Sequence, residues 1–217
     1  MLDFSIIVEH WDMYMQGFGN TVKAIKLALL GSLLIGIVIA VFRIAPVRLF
    51  NWLGAAYVEF IRNIPLILVV FIFFFGFPAL GVRLDSFTAG TLGLTVYTAA
   101  FIAEVIRAGI LSVPKGQMEA ARSSGLTYLQ AMRYIILPQA IKLVIPPLGN
   151  QFINLVKNSS VLGVIAGLDL MYFGDLISSE TFVTFDVYIF VAVFYLVLTV
   201  PLSLGVGFLE RRLARRR

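Results

Sequence analysis

Long uncharged stretches alternate along the chain with short segments that hold most of its charge. The apolar runs predict membrane-crossing helices at about Thr21–Phe42, Tyr57–Phe77, Phe87–Leu111, Ile141–Ile165 and Asp186–Leu209, since about 20 apolar residues of helix match the hydrocarbon layer of a bilayer. Five crossings predict an all-α polytopic membrane protein with its termini on opposite sides and no second domain. Between the runs the pattern changes. Residues 119–138 form a polar, helix-prone island, and residues 43–56 suit either an interfacial helix or a loop, because Pro46 and Trp52 fit both. Phe71, Phe73, Phe74, Phe75 and Phe77 crowd the outer end of the second run, where aromatic rings sit at the interface or face lipid; a gate is the alternative.

Composition agrees with this class. Hydrophobic residues make up 60% and charged residues 13% of the 217, and the mean hydropathy of +0.96 lies far from that of a soluble domain. There is no cysteine and a single histidine, His10, which excludes thiolate chemistry and a metal site built on imidazoles. The net charge of +5 is a topology signal. Arg43, Arg48, Lys115, Arg122, Arg133 and the tail Arg211, Arg212, Arg215, Arg216 and Arg217 fall after the first, third and fifth runs, whereas residues 1–20, 77–86 and 166–185 hold Arg83 as their one basic residue. The positive-inside rule therefore predicts a cytoplasmic tail and an outer amino terminus. Lys23 and Lys26 run against it and read as side chains snorkelling to the outer headgroups, with a role in the pathway as the alternative. Asp3, Glu9 and Asp12, with no Lys or Arg in the first twenty residues, make the first run a retained span rather than a signal peptide. The acidic outer residues Asp169, Asp175, Glu180 and Asp186 read as a solvated loop, with a partner or cationic solute as the alternative. The expected division is an extracytoplasmic segment 1–20, a membrane domain 21–209 with a cytoplasmic loop at about 112–140, and an Arg-rich tail 210–217.

Ionisable residues inside a span are costly and normally face the interior of the bundle. Glu104, about 10 Å from the inner end of the third span at 1.5 Å per residue, shares a stripe with Tyr97, Phe101 and Ala108 and has Arg107 one turn away. The pair is either a structural brace or part of a pathway. In the fourth span Asn150, Gln151, Asn154, Lys157 and Asn158 fall on one arc of the helix, either as packing glue or as the wall of a wet cavity holding a zwitterion, with Glu104 the expected partner of Lys157. Ser159 and Ser160 extend that patch or bond the backbone. Pro146-Pro147 is expected to break the helix below it. Glu59 and Arg62 read as an interfacial brace.

In the island, Pro114 opens a helix, Glu119-Ala120-Ala121 propagates it, Gly125 supplies a left-handed turn, Thr127 caps a second helix and Pro138 bends the chain back toward the fourth span. Glu119 and Arg122 form an i, i+3 pair, and the small Ala120 and Ala121 allow a partner to approach closely.

This spacing, Glu119-Ala120-Ala121, three residues, Gly125, nine residues, Ile135-x-Leu137-Pro138, resembles the EAA signature of permease subunits of ATP-binding-cassette importers. Residues 97–110, 113–117, 137–140 and 148–153, with Glu59-Phe-Ile-Arg-Asn-Ile-Pro-Leu66, resemble the polar amino acid branch of that family, and the likeness spans about residues 17–210. The resemblance implies import of arginine, histidine, glutamine or glutamate by alternating access. It further implies delivery by an extracytoplasmic substrate-binding protein, a second permease copy or a similar chain, and cytoplasmic ATPase subunits that bind ATP and Mg and grip Glu119, Ala120, Ala121, Arg122 and Gly125. Glu104, Asn150, Asn154, Lys157, Asn158 and Ser159 are then the candidate substrate pathway in a bacterial inner membrane. The chain has no phosphate loop of the G-x-x-x-x-G-K-[ST] kind, so no cofactor, metal or catalytic residue of its own is expected. A proton-coupled carrier using Glu104 is the alternative; an intramembrane enzyme lacks a nucleophile–base pair.

Overall fold

The computed structural model describes residues 2–214, so Arg215, Arg216 and Arg217 of the predicted tail lie outside the described residues. Among the described residues nine helices follow one another: α1 (Ser5–Glu9), α2 (Trp11–Ile44), α3 (Arg48–Arg62), α4 (Leu66–Ala79), α5 (Ser86–Leu111), α6 (Lys115–Ser123), α7 (Tyr128–Ile165), α8 (Leu170–Thr181) and α9 (Thr184–Ala214). Three of them, α2, α5 and α9, are long and apolar enough to cross a membrane, and the bent pairs α3 with α4 and α7 with α8 raise the number to five.

The centre of the bundle is the α2–α5 contact. Along α2 the buried positions beyond Tyr14 are Gly17, Thr21, Ala24, Ala28, Ser32, Gly36 and Ala40, a stripe of small side chains at helical spacing. Lipid tails are as apolar as the helices, so crossing helices gain from close backbone approach rather than from expelling water. A Cβ on Gly36 would meet Ile102 of α5 at 2.6 Å, which shows how close that approach is. On the far side of α5, a Cβ on Gly93 would meet Val70 of α4 at 2.9 Å. At the amino-terminal end of the bundle Ile6 and Tyr14 pack with Leu170, Ile177, Phe190 and Val191, so the opening residues are part of the folded body.

Several expectations need correction. Residues 57–62 of the predicted second span belong to α3, which turns by 108° into α4. Pro65 caps α4 in extended geometry, and the residue before a proline is driven out of the helical region, so the chain must turn at Asn63-Ile64. The ambiguous residues 43–56 contain the start of α3, a helix exposing Leu49, Phe50, Trp52 and Phe60 while burying Gly54, Val58 and Ile61. Pro146-Pro147 does not break α7: Leu137–Asn158 runs through it as regular helix. Pro138 likewise sits within the first turn of that run, just after a wider π turn at Met132–Ile136 that absorbs the missing donor. The acidic loop is not uniformly solvated. Asp169 is fully buried and caps α8 by accepting from the Met171 and Tyr172 amides, Asp175 accepts from the Tyr188 hydroxyl at 2.6 Å, and Asp186 accepts from the Asp3 amide at 2.9 Å. Lys23 lies over the Phe87 ring at 5.3 Å.

Candidate functional site

Between α5 and α7 lies a hollow of about 280 Å³, walled by Tyr97, Thr98 and Phe101 on one side and by Gln151, Asn154 and Asn158 on the other. The α7 residues reach it because positions 151, 154 and 158 repeat at three and four residues and share one face. Thr98 and Gln151, which were not among the expected pathway residues, are on this wall. A signal for Gln151 was present in the amide arc; nothing in the pattern of α5 singled out Thr98.

The structure divides the arc between two neighbours. Lys157 lines a separate hollow of about 470 Å³ with Ser160, Tyr188, Tyr195 and Thr199, between α7 and α9. Asn150 is exposed and on neither wall. Ser159 is buried and donates its hydroxyl to the Val156 carbonyl at 2.7 Å, and Ser160 does the same to Lys157 at 2.9 Å, so both serve the backbone. Packing explains the split. Leu155 and Val156 are both buried, so α7 is clamped on two sides, and residues that share a broad arc face different helices.

Glu104 does not meet Lys157. Its carboxylate receives the Arg107 guanidinium, with Nε at 3.0 Å from Oε2, and the Arg43 guanidinium of α2 at 3.2 Å. The side chains are 20% (Glu104), 28% (Arg107) and 11% (Arg43) exposed, so the triad is largely enclosed and has two positive charges for one negative. Among the described residues Arg62 forms no ion pair with Glu59 and instead lies over the Phe101 ring at 5.4 Å. Arg43 was missed as a partner because 61 residues separate it from Glu104 and only the α2–α5 packing brings them together.

The loop that follows the carboxyl end of α5 is a compact unit. Pro114 precedes α6, Gly125 has φ +85°, and Thr127 caps α7 through a reciprocal box with Gln130: the Gln130 amide donates to Thr127 Oγ1, and the Thr127 amide donates to Gln130 Oε1 at 2.8 Å. Arg122 does not pair with Glu119 among the described residues; its guanidinium donates to the Leu126 carbonyl at 3.0 Å and ties the turn shut. Glu119 and Ala120 are exposed, while Ala121 is buried beneath them.

Residues 32–215 match the model of a family described as the binding-protein-dependent transport system inner membrane component. The chain belongs to that family. It is 66% identical over 214 residues to a probable glutamine ABC transporter permease protein of Bacillus subtilis, with 99% of each chain covered. It is 36% identical over 213 residues to a glutamate transport system permease protein of Corynebacterium glutamicum, covering 92% of this chain and 93% of the relative. A solved amino acid ABC transporter, crystallised with histidines, has a chain 38% identical that superposes with a TM-score of 0.91 over 98% of this chain and 99% of its own. An inward-facing methionine ABC transporter, 22% identical with a TM-score of 0.71 over 97% of this chain and 99% of that one, shares the fold. The permease is therefore a membrane transport subunit and not an enzyme, and the family implies a substrate-binding protein and an ATPase as its partners. The proton-coupled alternative has no support from these relatives, and a carboxylate gripped by two guanidiniums is poorly placed to carry a proton.

Proposed function

We propose that this permease carries a neutral polar amino acid of the glutamine kind through the hollow between α5 and α7. The observation that supports this reading is the chemistry of the wall. Tyr97, Thr98, Gln151, Asn154 and Asn158 offer hydroxyls and amides and no charged group, which suits a side-chain amide, and the relative at 66% identity is described as a glutamine permease. Arginine, histidine and glutamate are the competing substrates within the class. Arg62, over the ring of the wall residue Phe101, supplies a positive charge near the hollow for an α-carboxylate. Asn154 and Asn158 are pathway residues in this proposal. Asn150, Ser159 and Lys157 are not, and Glu104 acts as a brace.

In the same reading the α6 helix, with Glu119, Ala120, Ala121, Arg122 and Gly125, couples the permease to ATPase subunits that hold ATP and Mg. A second copy or a similar chain completes the pathway. The amino terminus faces outward and the carboxyl end faces the cytoplasm of a bacterial inner membrane. The test is uptake into vesicles containing the whole transporter. Glutamine uptake should be displaced by unlabelled glutamine far better than by arginine or glutamate; displacement led by arginine would overturn the assignment.

A further inference from the structure

We propose that α2, α5 and the start of α7 enclose a binding site for an anionic phospholipid, with its tail between the helices and its headgroup at Lys115 and Arg43. Two hollows meet there. One, of about 410 Å³, is almost wholly apolar and is bounded by Ile37, Val41, Ile106 and Leu129. The other, of about 330 Å³, has Arg43 and Lys115 on its wall. They share Ile44, Ile110, Tyr128 and Met132, so they form one slot with an apolar end and a basic mouth. Ile37 lies six residues up α2 from Arg43, which puts the apolar end roughly 9 Å deeper along the helix at 1.5 Å per residue.

An empty apolar slot forfeits dispersion contacts, and water gains no polar partner in it. A lipid tail is the occupant a bilayer supplies. Moving that tail from hydrocarbon into an apolar hollow changes little, because both surroundings are equally apolar. Selectivity must then come from the headgroup, and the mouth is positive. Lys115 makes no ion pair among the described residues, and Arg43 shares the single Glu104 carboxylate with Arg107, leaving one positive charge over. A phosphate there complements both. Ile44 of α2 and Met118 of α6 both line the slot and pack against one apolar cluster, so an occupant touches the membrane body and the loop at once.

The experiment uses the assembled transporter with its ATPase in nanodiscs of phosphatidylcholine containing phosphatidylglycerol, and counts retained lipid by native mass spectrometry. Wild type should retain phosphatidylglycerol in preference to phosphatidylcholine. Lys115→Gln should weaken that retention about fivefold, the loss expected for one basic residue near a lipid headgroup. Ile37→Trp and Met132→Trp, which fill the deep end and the neck, should abolish it while the complex stays assembled. Arg48→Gln, a basic residue at the same end but off the wall, should retain lipid as wild type does. Equal retention in all four variants, or no preference for phosphatidylglycerol, overturns the site. Efficient cross-linking of Leu129→Cys to another subunit of the complex also overturns it, because the slot would then be filled by protein. Transport of glutamine is a separate readout, so a wrong substrate leaves the lipid result intact.

Discussion

Arg43 of α2 donates to Glu104 of α5 at 3.2 Å, joining two helices through residues 61 apart in sequence, at the end of the bundle that carries the Pro114–Thr127 loop. Glu104→Gln keeps the volume but leaves Arg43 and Arg107 facing each other without a counter-charge. Removing one partner of an enclosed ion pair costs about 3 kcal/mol, so the melting temperature of the assembled transporter should fall clearly. Uptake of glutamine and arginine should drop in equal proportion. Loss of one flux alone, with an unchanged melting temperature, would return Glu104 to the substrate pathway.

Gly125 tests the loop without disturbing any packing. A Cβ built there meets nothing within 4 Å, yet φ is +85°, so the cost of a side chain is backbone strain. Gly125→Val should cost about 1–2 kcal/mol locally and uncouple ATP hydrolysis from transport. Gly125→Asn, which tolerates the left-handed region, should remain close to wild type. ATPase rates with and without loaded binding protein, measured on both variants, check this; identical behaviour of Val and Asn would mean the turn is not needed.

The two faces of α7 predict different phenotypes. Asn154→Leu removes an amide from the hollow beside α5 and should raise the KM for uptake about tenfold, the loss of one hydrogen bond of the order of 1.4 kcal/mol. Lys157→Gln, which alters the hollow facing α9, should leave that KM unchanged. Uptake curves for the two variants decide it, and a raised KM in Lys157→Gln would restore the single-cavity arrangement.

Asp169 makes stability depend on pH. Burial pushes its carboxyl up to about 6 from 3.8, against the lowering effect of the Tyr172 and Met171 amides. The folded state therefore holds this proton more tightly than the unfolded chain. Its contribution is fully favourable below the unfolded value and is lost as pH rises toward 6, by about 3 kcal/mol at most at 1.36 per unit. Asp169→Asn keeps a capping acceptor and removes the titration. It should melt above wild type at pH 8 and alongside it at pH 4; a lower melting point at pH 8 would show that the ionised form stabilises the cap.

Much of the fold was legible because membrane solvation makes strong demands on sequence: α5 and α9 begin and end close to their apolar runs. The loop was legible for a different reason. Pro114, Gly125 and Thr127 act through local backbone geometry, which needs no knowledge of neighbours. The α3–α4 turn was hidden because apolar content continues through Pro65, and hydropathy does not register direction. Site geometry was hidden further still. Whether Lys157 faces α5 or α9, and whether Glu104 meets Arg43 or Lys157, depends on which helix lies on each side of α7 and α5. Small residues such as Gly36 and Gly93 set those contacts, and in the pattern they look like any other apolar position.

If the loop couples as proposed, the continuous course of α7 from Tyr128 to Ile165 makes that loop the handle of a lever. The helix is roughly 55 Å long at 1.5 Å per residue, so a 10° tilt about its middle moves each end by about 5 Å. Pro146 and Pro147 leave the carbonyls of Lys142 and Leu143 without intrahelical donors, which makes the rod softest between the handle and the residues that line the hollow. Displacement applied at the capped turn of Thr127 thus reaches Gln151, Asn154 and Asn158 through a flexing joint, and stiffening that joint with Ala at both prolines would alter how much of the stroke arrives.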